Sequence, residues 1–329
     1  MSTIVSVLPS GVLDSLLLKF NEATGNNEGR ELRFLRLPHP RTDVSSLFLP
    51  YYVSGKSRLL EVQAVSPPNA RSWFLSEGEV IEDGQLLVLT PIDPAFLLIP
   101  LLRLTETLGG TAGSFCPADD IFEEVRSRIL NGGTGAQDAI RDVSSNDLTH
   151  FFSLDCVKLA MKRVCEVKEI TPEITVYRYS RAQSLTLMKA KVARVHTPEI
   201  FEASRTLVRN LAKDGLMEDG KEALLQAGRL KAACELVSQY LSKDMCDELL
   251  ASYDFAALDA YHAELRSEHA SAAASKMNAV EAKESKTSVV EPETGKKRKG
   301  ATKASHGVEK LKKVNTKGMA KLSSFFQKS

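Results

Sequence analysis

Long apolar runs are missing from this 329-residue chain. Its most apolar stretch, Ala95 to Leu102, is far shorter than the roughly 20 residues a spanning helix needs and contains Pro100. No membrane role is expected. Cysteine is scarce: Cys116, Cys156, Cys165, Cys234 and Cys246 are odd in number, widely spaced and form no CxxC pair. That pattern argues against a disulfide framework and a zinc site, and favours reduced, mostly buried thiols. Met1-Ser2-Thr3 leads into no charged region followed by an apolar core, so no signal peptide is expected. Aromatics make up 6% with a single tryptophan, Trp73, and an excess of either charge is nearly absent, at +1 net.

The balance hides an asymmetry. Lys276 to Ser329 carries 14 Lys and Arg against 5 Asp and Glu, which leaves 29 against 37 for the rest. An acidic body with a basic tail is not a simple nucleic-acid-coating surface. From about Ser267 onward the composition is Ala, Ser, Lys, Glu, Thr and Gly, which buries too little to offset its ordering entropy, so residues 267–329 are expected to be disordered. Two basic clusters in it, Lys296-Lys297-Arg298-Lys299 and Lys310-Leu311-Lys312-Lys313, look like a nuclear import signal and imply a nuclear protein. Against this polar background Phe325-Phe326 stands out. In a single 3₁₀ turn residues three apart eclipse, so Met319, Leu322 and Phe325 would line one edge with Phe326 beside them. The pattern resembles the box by which replication and repair proteins dock on the sliding clamp, proliferating cell nuclear antigen (PCNA), with Met319 where Gln is usual. Burial of Leu322 and two Phe rings, set against tail ordering, implies affinity near the micromolar range, about −8 kcal/mol.

Upstream, the chain divides by pattern. Thr3–Leu8, Glu31–Leu37, Ser45–Tyr52, Arg58–Val65, Ser72–Leu75 and Gln85–Leu89 are short period-two or apolar runs separated by Gly and Pro, which predicts an antiparallel barrel or sandwich over residues 1–90. At Thr90-Pro91-Ile92-Asp93-Pro94 the regime changes: Asp93 suits an N-cap and Pro94 the first helical position. Helices are expected at Pro94–Leu104, Asp119–Leu130, Asn146–Phe152, Leu154–Val164, Ala182–Val195, along the stripe Leu224, Ala227, Leu230, Cys234, Val237 and Leu241, at Lys243–Tyr253, and in a last one to His262. Glu173–Tyr179 is expected to be extended. Residues 91–266 thus form a mainly helical domain, and the fold class is α+β.

Ser72-Trp73-Phe74, Gly84-Gln85-Leu86-Leu87, Thr90-Pro91-Ile92-Asp93-Pro94-Ala95-Phe96-Leu97-Leu98 and Tyr177-Arg178-Tyr179-Ser180 resemble the motifs of the non-catalytic B subunit of eukaryotic type-2 ribonuclease H. The resemblance implies an N-terminal β-barrel-like domain completed by strands of the C subunit, with edge strands such as Ser45–Tyr52 covered by it, then a winged-helix-like domain. It also implies a heterotrimer with the A and C subunits that cleaves RNA in RNA–DNA hybrids and at single ribonucleotides in DNA, with magnesium held by the catalytic partner and no cofactor in this chain.

The residues themselves offer little chemistry. Magnesium-dependent RNA cleavage needs carboxylates converging from several elements. The densest acidic group, Asp119-Asp120 with Glu123-Glu124, opens a predicted helix and suits its dipole. Gly55-Lys56-Ser57 imitates the end of a phosphate-binding loop but lacks its first glycine and the following helix, and His150 has no evident catalytic partner. Arg178, Arg181, Lys189, Lys191 and Arg194, interleaved with Tyr177 and Tyr179, are candidates for nucleic-acid contact, weighed against a solvated helix face. The chain is therefore expected to be a scaffold without catalytic residues. An alternative is a clamp-binding accessory subunit of a replicative DNA polymerase.

Overall fold

A computed structural model describes residues 3–14, 17, 33–76, 78–106, 113–131 and 143–285. In chain order the elements are strands β1 (Val5–Val7), β2 (Leu35–Pro38), β3 (Ser45–Val53), β4 (Lys56–Val65), β5 (Trp73–Phe74), β6 (Val80–Ile81) and β7 (Leu86–Ile92), then helix α1 (Pro94–Arg103). Strand β8 (Cys116–Pro117), helices α2 (Ala118–Asn131), α3 (Ser145–Ser153) and α4 (Asp155–Val164), and strands β9 (Cys165–Glu169) and β10 (Thr175–Tyr179) follow. Helices α5 (Arg181–Val195), α6 (Pro198–Ala203), α7 (Arg205–Lys213), α8 (Glu222–Ser238), α9 (Lys243–Ala251) and α10 (Ala256–Ser285) complete the series.

The larger sheet runs β1-β7-β4-β3-β2 and stays open. All its pairings are antiparallel except β1 with β7, which is parallel. That corrects a purely antiparallel expectation, and the physical reason is the chain path: β1 and β7 are far apart in sequence, so no tight turn dictates their direction. Strand β3, expected at an edge, lies inside the sheet between β2 and β4, and the edges are β1 and β2. The β3–β4 hairpin closes through Ser54 and Gly55, both at positive φ (49° and 76°), with Val53 opposite Lys56. Two left-handed residues match the twist of the flanking strands, which is why Gly55 belongs to a hairpin and not to a phosphate loop.

Period-two alternation sends the sheet's side chains to two different cores. Leu35, Leu37, Phe48, Leu59 and Ile92 join one large cluster with α1 to α5 and the later helices. Leu49, Tyr51, Leu60 and Leu89 face the other way, in a much smaller cluster with Val12 from the helical residues 10–14. Helix α1 is buried nearly all round, with Ala95, Leu97, Leu98, Ile99, Leu101 and Leu102 almost inaccessible. It is the central spoke on which sheet and helices meet. Trp73 is half-buried on the separate β5–β6 hairpin, where its indole N–H donates to the Gln85 carbonyl at 3.2 Å.

Strands β6, β8 and β9 and helices α6 and α7 have no counterpart in the sequence expectation. Strands of two residues carry no readable period, and the 3.6-residue stripe of α6 is cut short by Pro198 and Ser204 at its ends. Helix α10 continues past His262 to Ser285, so residues 267–285 are helical. Ala272, Ala273 and Ala274 and the surrounding Ala, Glu and Lys are strong helix formers, and intrinsic propensity suffices where burial does not. The chain divides into two compact units at Leu265 and Arg266. Among the described residues no helix is long and apolar enough to cross a membrane.

Gly228, inside α8, faces α7: a Cβ there would come within 2.7 Å of Leu216 Cδ1 and 3.2 Å of Leu211 Cδ2. Gly228→Val is expected to force these two helices apart and destabilise the chain by about 1–3 kcal/mol. Urea unfolding of the full chain measures it, and an unchanged midpoint would mean that the close approach is not a constraint.

Candidate functional site

The corner where the sheet ends is held by one carboxylate. After β7, Asp93 adopts extended backbone and caps α1, accepting from the Ala95 N–H at 3.0 Å, with Pro94 next in the first turn. The same carboxylate accepts both ends of the Arg163 guanidinium, at 2.6 and 2.9 Å, and Lys191 Nζ at 2.5 Å. Arg163 comes from α4 and Lys191 from α5. Burial alone would raise the Asp93 pKa, but the hydrogen bonds from Arg163 and Lys191 outweigh it and hold the group well below the usual carboxylate range. Lys191 also lies 4.9 Å over the Phe96 ring.

A second polar contact crosses from the sheet to the helices. Glu61, in the middle of β4, is 2% exposed and accepts from the Tyr240 hydroxyl at 2.7 Å, with His39 Nε2 at 3.5 Å. Burial raises its pKa, yet hydrogen bonds from His39, Tyr240 and Gln63 bring the net shift downward. The Tyr240 phenol is pushed up, first by burial and then by Glu61. Asp147, buried in α3, pairs with Arg33 at 2.6 Å just ahead of β2. Asp93, Glu61 and Asp147 thus each have at least one donor. The arrangement joins the sheet to the helices.

The helical part contains a winged helix. Leu154 alone separates α3 from α4, ending one and opening the other. Strands β9 and β10 form the wing and β8 adds a third strand, in the order β8-β10-β9. Ser57 Oγ, buried in β4, accepts the N–H of Cys156 at 2.9 Å in the first turn of α4. Lys168 and Arg178 both pack on the Phe115 ring, at 4.1 and 4.4 Å, while Leu159 on α4 and Ile170 and Ile174 at the wing tip stay exposed.

Of the five candidates for nucleic-acid contact, Arg178 pairs with Glu166 at 2.5 Å, and Arg181 with Glu248 at 2.5 Å and Asp244 at 3.6 Å. Lys189 lies 6.0 Å from the Tyr253 ring, Lys191 is held by Asp93, and Arg194 is exposed. The structure therefore brings Lys191 and Arg194 together on α5 and gives the other three separate surroundings. Tyr179 is buried, its phenol pushed up to about 12 by that burial, and Tyr177 packs partly against the core. Ser180 caps α5 by accepting from the Gln183 N–H. The Tyr-x-Tyr-Ser motif thus records a strand with one aromatic face followed by a helix cap. Glu61, Tyr240, Arg33 and Arg163 escaped the sequence reading because each acts through a partner distant in sequence. Among the described residues no group of three His, Cys, Asp or Glu is placed to hold a metal. The clamp-box residues Met319, Leu322, Phe325 and Phe326 and the import residues Lys296, Lys297, Arg298, Lys299, Lys310, Lys312 and Lys313 lie outside the described residues.

An open sheet and a winged helix joined through one carboxylate define the class by its architecture, a sheet domain followed by a winged-helix domain. The chain belongs to the Ydr279p protein family, a component of the RNase H2 complex: residues 16–93 match the family's triple barrel domain and residues 96–250 its wHTH domain. It is 26% identical over 306 residues to the ribonuclease H2 B subunit of Xenopus laevis, covering 91% of this chain and 88% of that one. It is 27% identical over 303 residues to the ribonuclease H2 B subunit of Schizosaccharomyces pombe, covering 90% and 94%.

Asp93→Asn keeps a competent cap but strands Arg163 and Lys191, and is expected to lower stability by about 1–3 kcal/mol at neutral pH. Because the folded pKa of Asp93 is depressed, its contribution is complete above the unfolded value, 3.8, and is lost as pH falls through the folded one. Denaturant melts of the two proteins should converge in acid, and a gap independent of pH would show that the ion pairs are not its source.

Proposed function

We propose that this chain is the non-catalytic scaffold subunit of a type-2 ribonuclease H heterotrimer, in which the C subunit finishes its sheet and the A subunit supplies the magnesium-dependent cleavage. The observation that supports this reading is the sheet, open among the described residues: Val7 of its edge strand β1 is 53% exposed, Ile4 just before it 46%, and Phe34 stands 50% exposed beside β2. An apolar sheet margin left to solvent invites pairing with another chain, and a dedicated partner removes that hazard. The complex cleaves RNA in RNA–DNA hybrids and at single ribonucleotides in DNA, and this chain's part is assembly and delivery. The two basic clusters of the tail direct it to the nucleus. Leu322, Phe325 and Phe326, with Met319, tether the enzyme to the sliding clamp and raise its local concentration there without touching an active site.

Hydrogen exchange of the full chain tests the first half. Amides of β1 and β2 should gain protection when the C subunit is added, whereas unchanged exchange at both edges would refute a shared sheet. For the tether, Phe325→Ala with Phe326→Ala should weaken clamp binding by more than about 100-fold in calorimetry, since each ring contributes roughly 1.5–3 kcal/mol. Hybrid cleavage by the purified trimer should be unaffected. Undiminished clamp affinity in the double variant would remove the box from the account.

A further inference from the structure

Beside the Asp93 joint, four helices and Tyr240 line an open cavity of about 320 Å³. Phe96 of α1, Val195 of α5, Ile200 of α6 and Leu236 of α8 give it apolar walls, and the Tyr240 ring closes one side. Its charged lining is of one sign: Lys191 and Arg194, with no carboxylate among the described residues that line it. The two cations differ in what already engages them. Lys191 is bound to Asp93 at 2.5 Å and lies over Phe96. Arg194 is exposed, and among the described residues its guanidinium makes no hydrogen bond or ion pair. Ile200 lines the cavity and is nevertheless 47% exposed, so an apolar side chain sits uncovered next to a free guanidinium.

We propose that this cavity is a docking site for a peptide segment of a partner protein, one that inserts a large apolar side chain and sets an Asp or Glu beside it against Arg194. The size favours that occupant. At about 320 Å³ the cavity is at the small end of the range of ligand pockets, roughly 300–1,000 Å³, which suits an anchor side chain. Interface energy concentrates in such buried anchors, and a guanidinium pairs with a carboxylate through two parallel hydrogen bonds. Nucleic acid is the weaker fit: phosphate binding draws its strength from several cations releasing counterions together, and here a single one is unengaged. The site goes beyond membership of the ribonuclease complex, since none of the described residues that line it belongs to the sheet margin.

The test uses the full chain and two fluorescein-labelled ten-residue peptides, each with a central Leu-Phe pair, one flanked by aspartates and the other by lysines. In anisotropy titrations the aspartate peptide is expected to saturate and the lysine peptide to show no binding. Arg194→Glu should weaken the aspartate peptide at least tenfold and confer binding on the lysine peptide, and Ile200→Ser should weaken the aspartate peptide without reversing the preference. If Arg194→Glu fails to fold by circular dichroism, Arg194→Gln replaces it, with the loss expected and the reversal not. The proposal is overturned if neither peptide saturates, or if the aspartate peptide is indifferent to both Arg194 variants. A twenty-nucleotide single strand that displaces the peptide and loses affinity in the same variants would also overturn it, assigning the cavity to nucleic acid.

Discussion

The architecture depends on a single side chain at the end of the sheet. Asp93 caps α1, the helix about which the larger core is organised, and uses its remaining acceptor capacity for Arg163 and Lys191. A carboxylate this buried is unfavourable alone, and becomes favourable only when its donors arrive with the right geometry. It therefore selects one placement of α4 and α5 against the sheet. Apolar packing among Phe48, Leu59, Leu98, Phe151 and their neighbours is larger in sum but non-directional, and many packings of similar area would satisfy it.

The same logic explains why the two faces of the sheet are so unequal. One face shares its core with the helices and is complete within the chain. Among the described residues the opposite face has Leu49, Tyr51, Leu60 and Leu89 around Val12, with Leu8, Val53, Val62 and Leu87 partly covered. Among the described residues the two faces of the sheet are thus unequally covered, in a chain whose family is a component of the RNase H2 complex.

Much of this was legible because local rules agree with tertiary demand in this chain. Asp93-Pro94 announced a helix start, the alternation in Arg58–Val65 a strand, and Leu224 to Leu241 an amphipathic helix, and each formed close to the expected bounds. The failures share a cause. Strand β1 lies parallel to β7 because of where the chain returns, and the contacts of Glu61 with Tyr240 and of Asp147 with Arg33 link residues more than a hundred positions apart. The interleaved Tyr and Arg of β10 suggested stacking on bases. In the fold the same alternation sorts Tyr177 and Tyr179 toward the core and Arg178 toward Phe115.

The family's two sequence segments meet at residues 93 to 96, which is also where the core is most continuous. Exchanging one segment between relatives would cut through that continuity rather than beside it. Recombination at this seam succeeds only if Asp93, Phe96, Arg163 and Lys191 travel together, so the lineage is expected to inherit barrel and winged helix as a single evolutionary cassette.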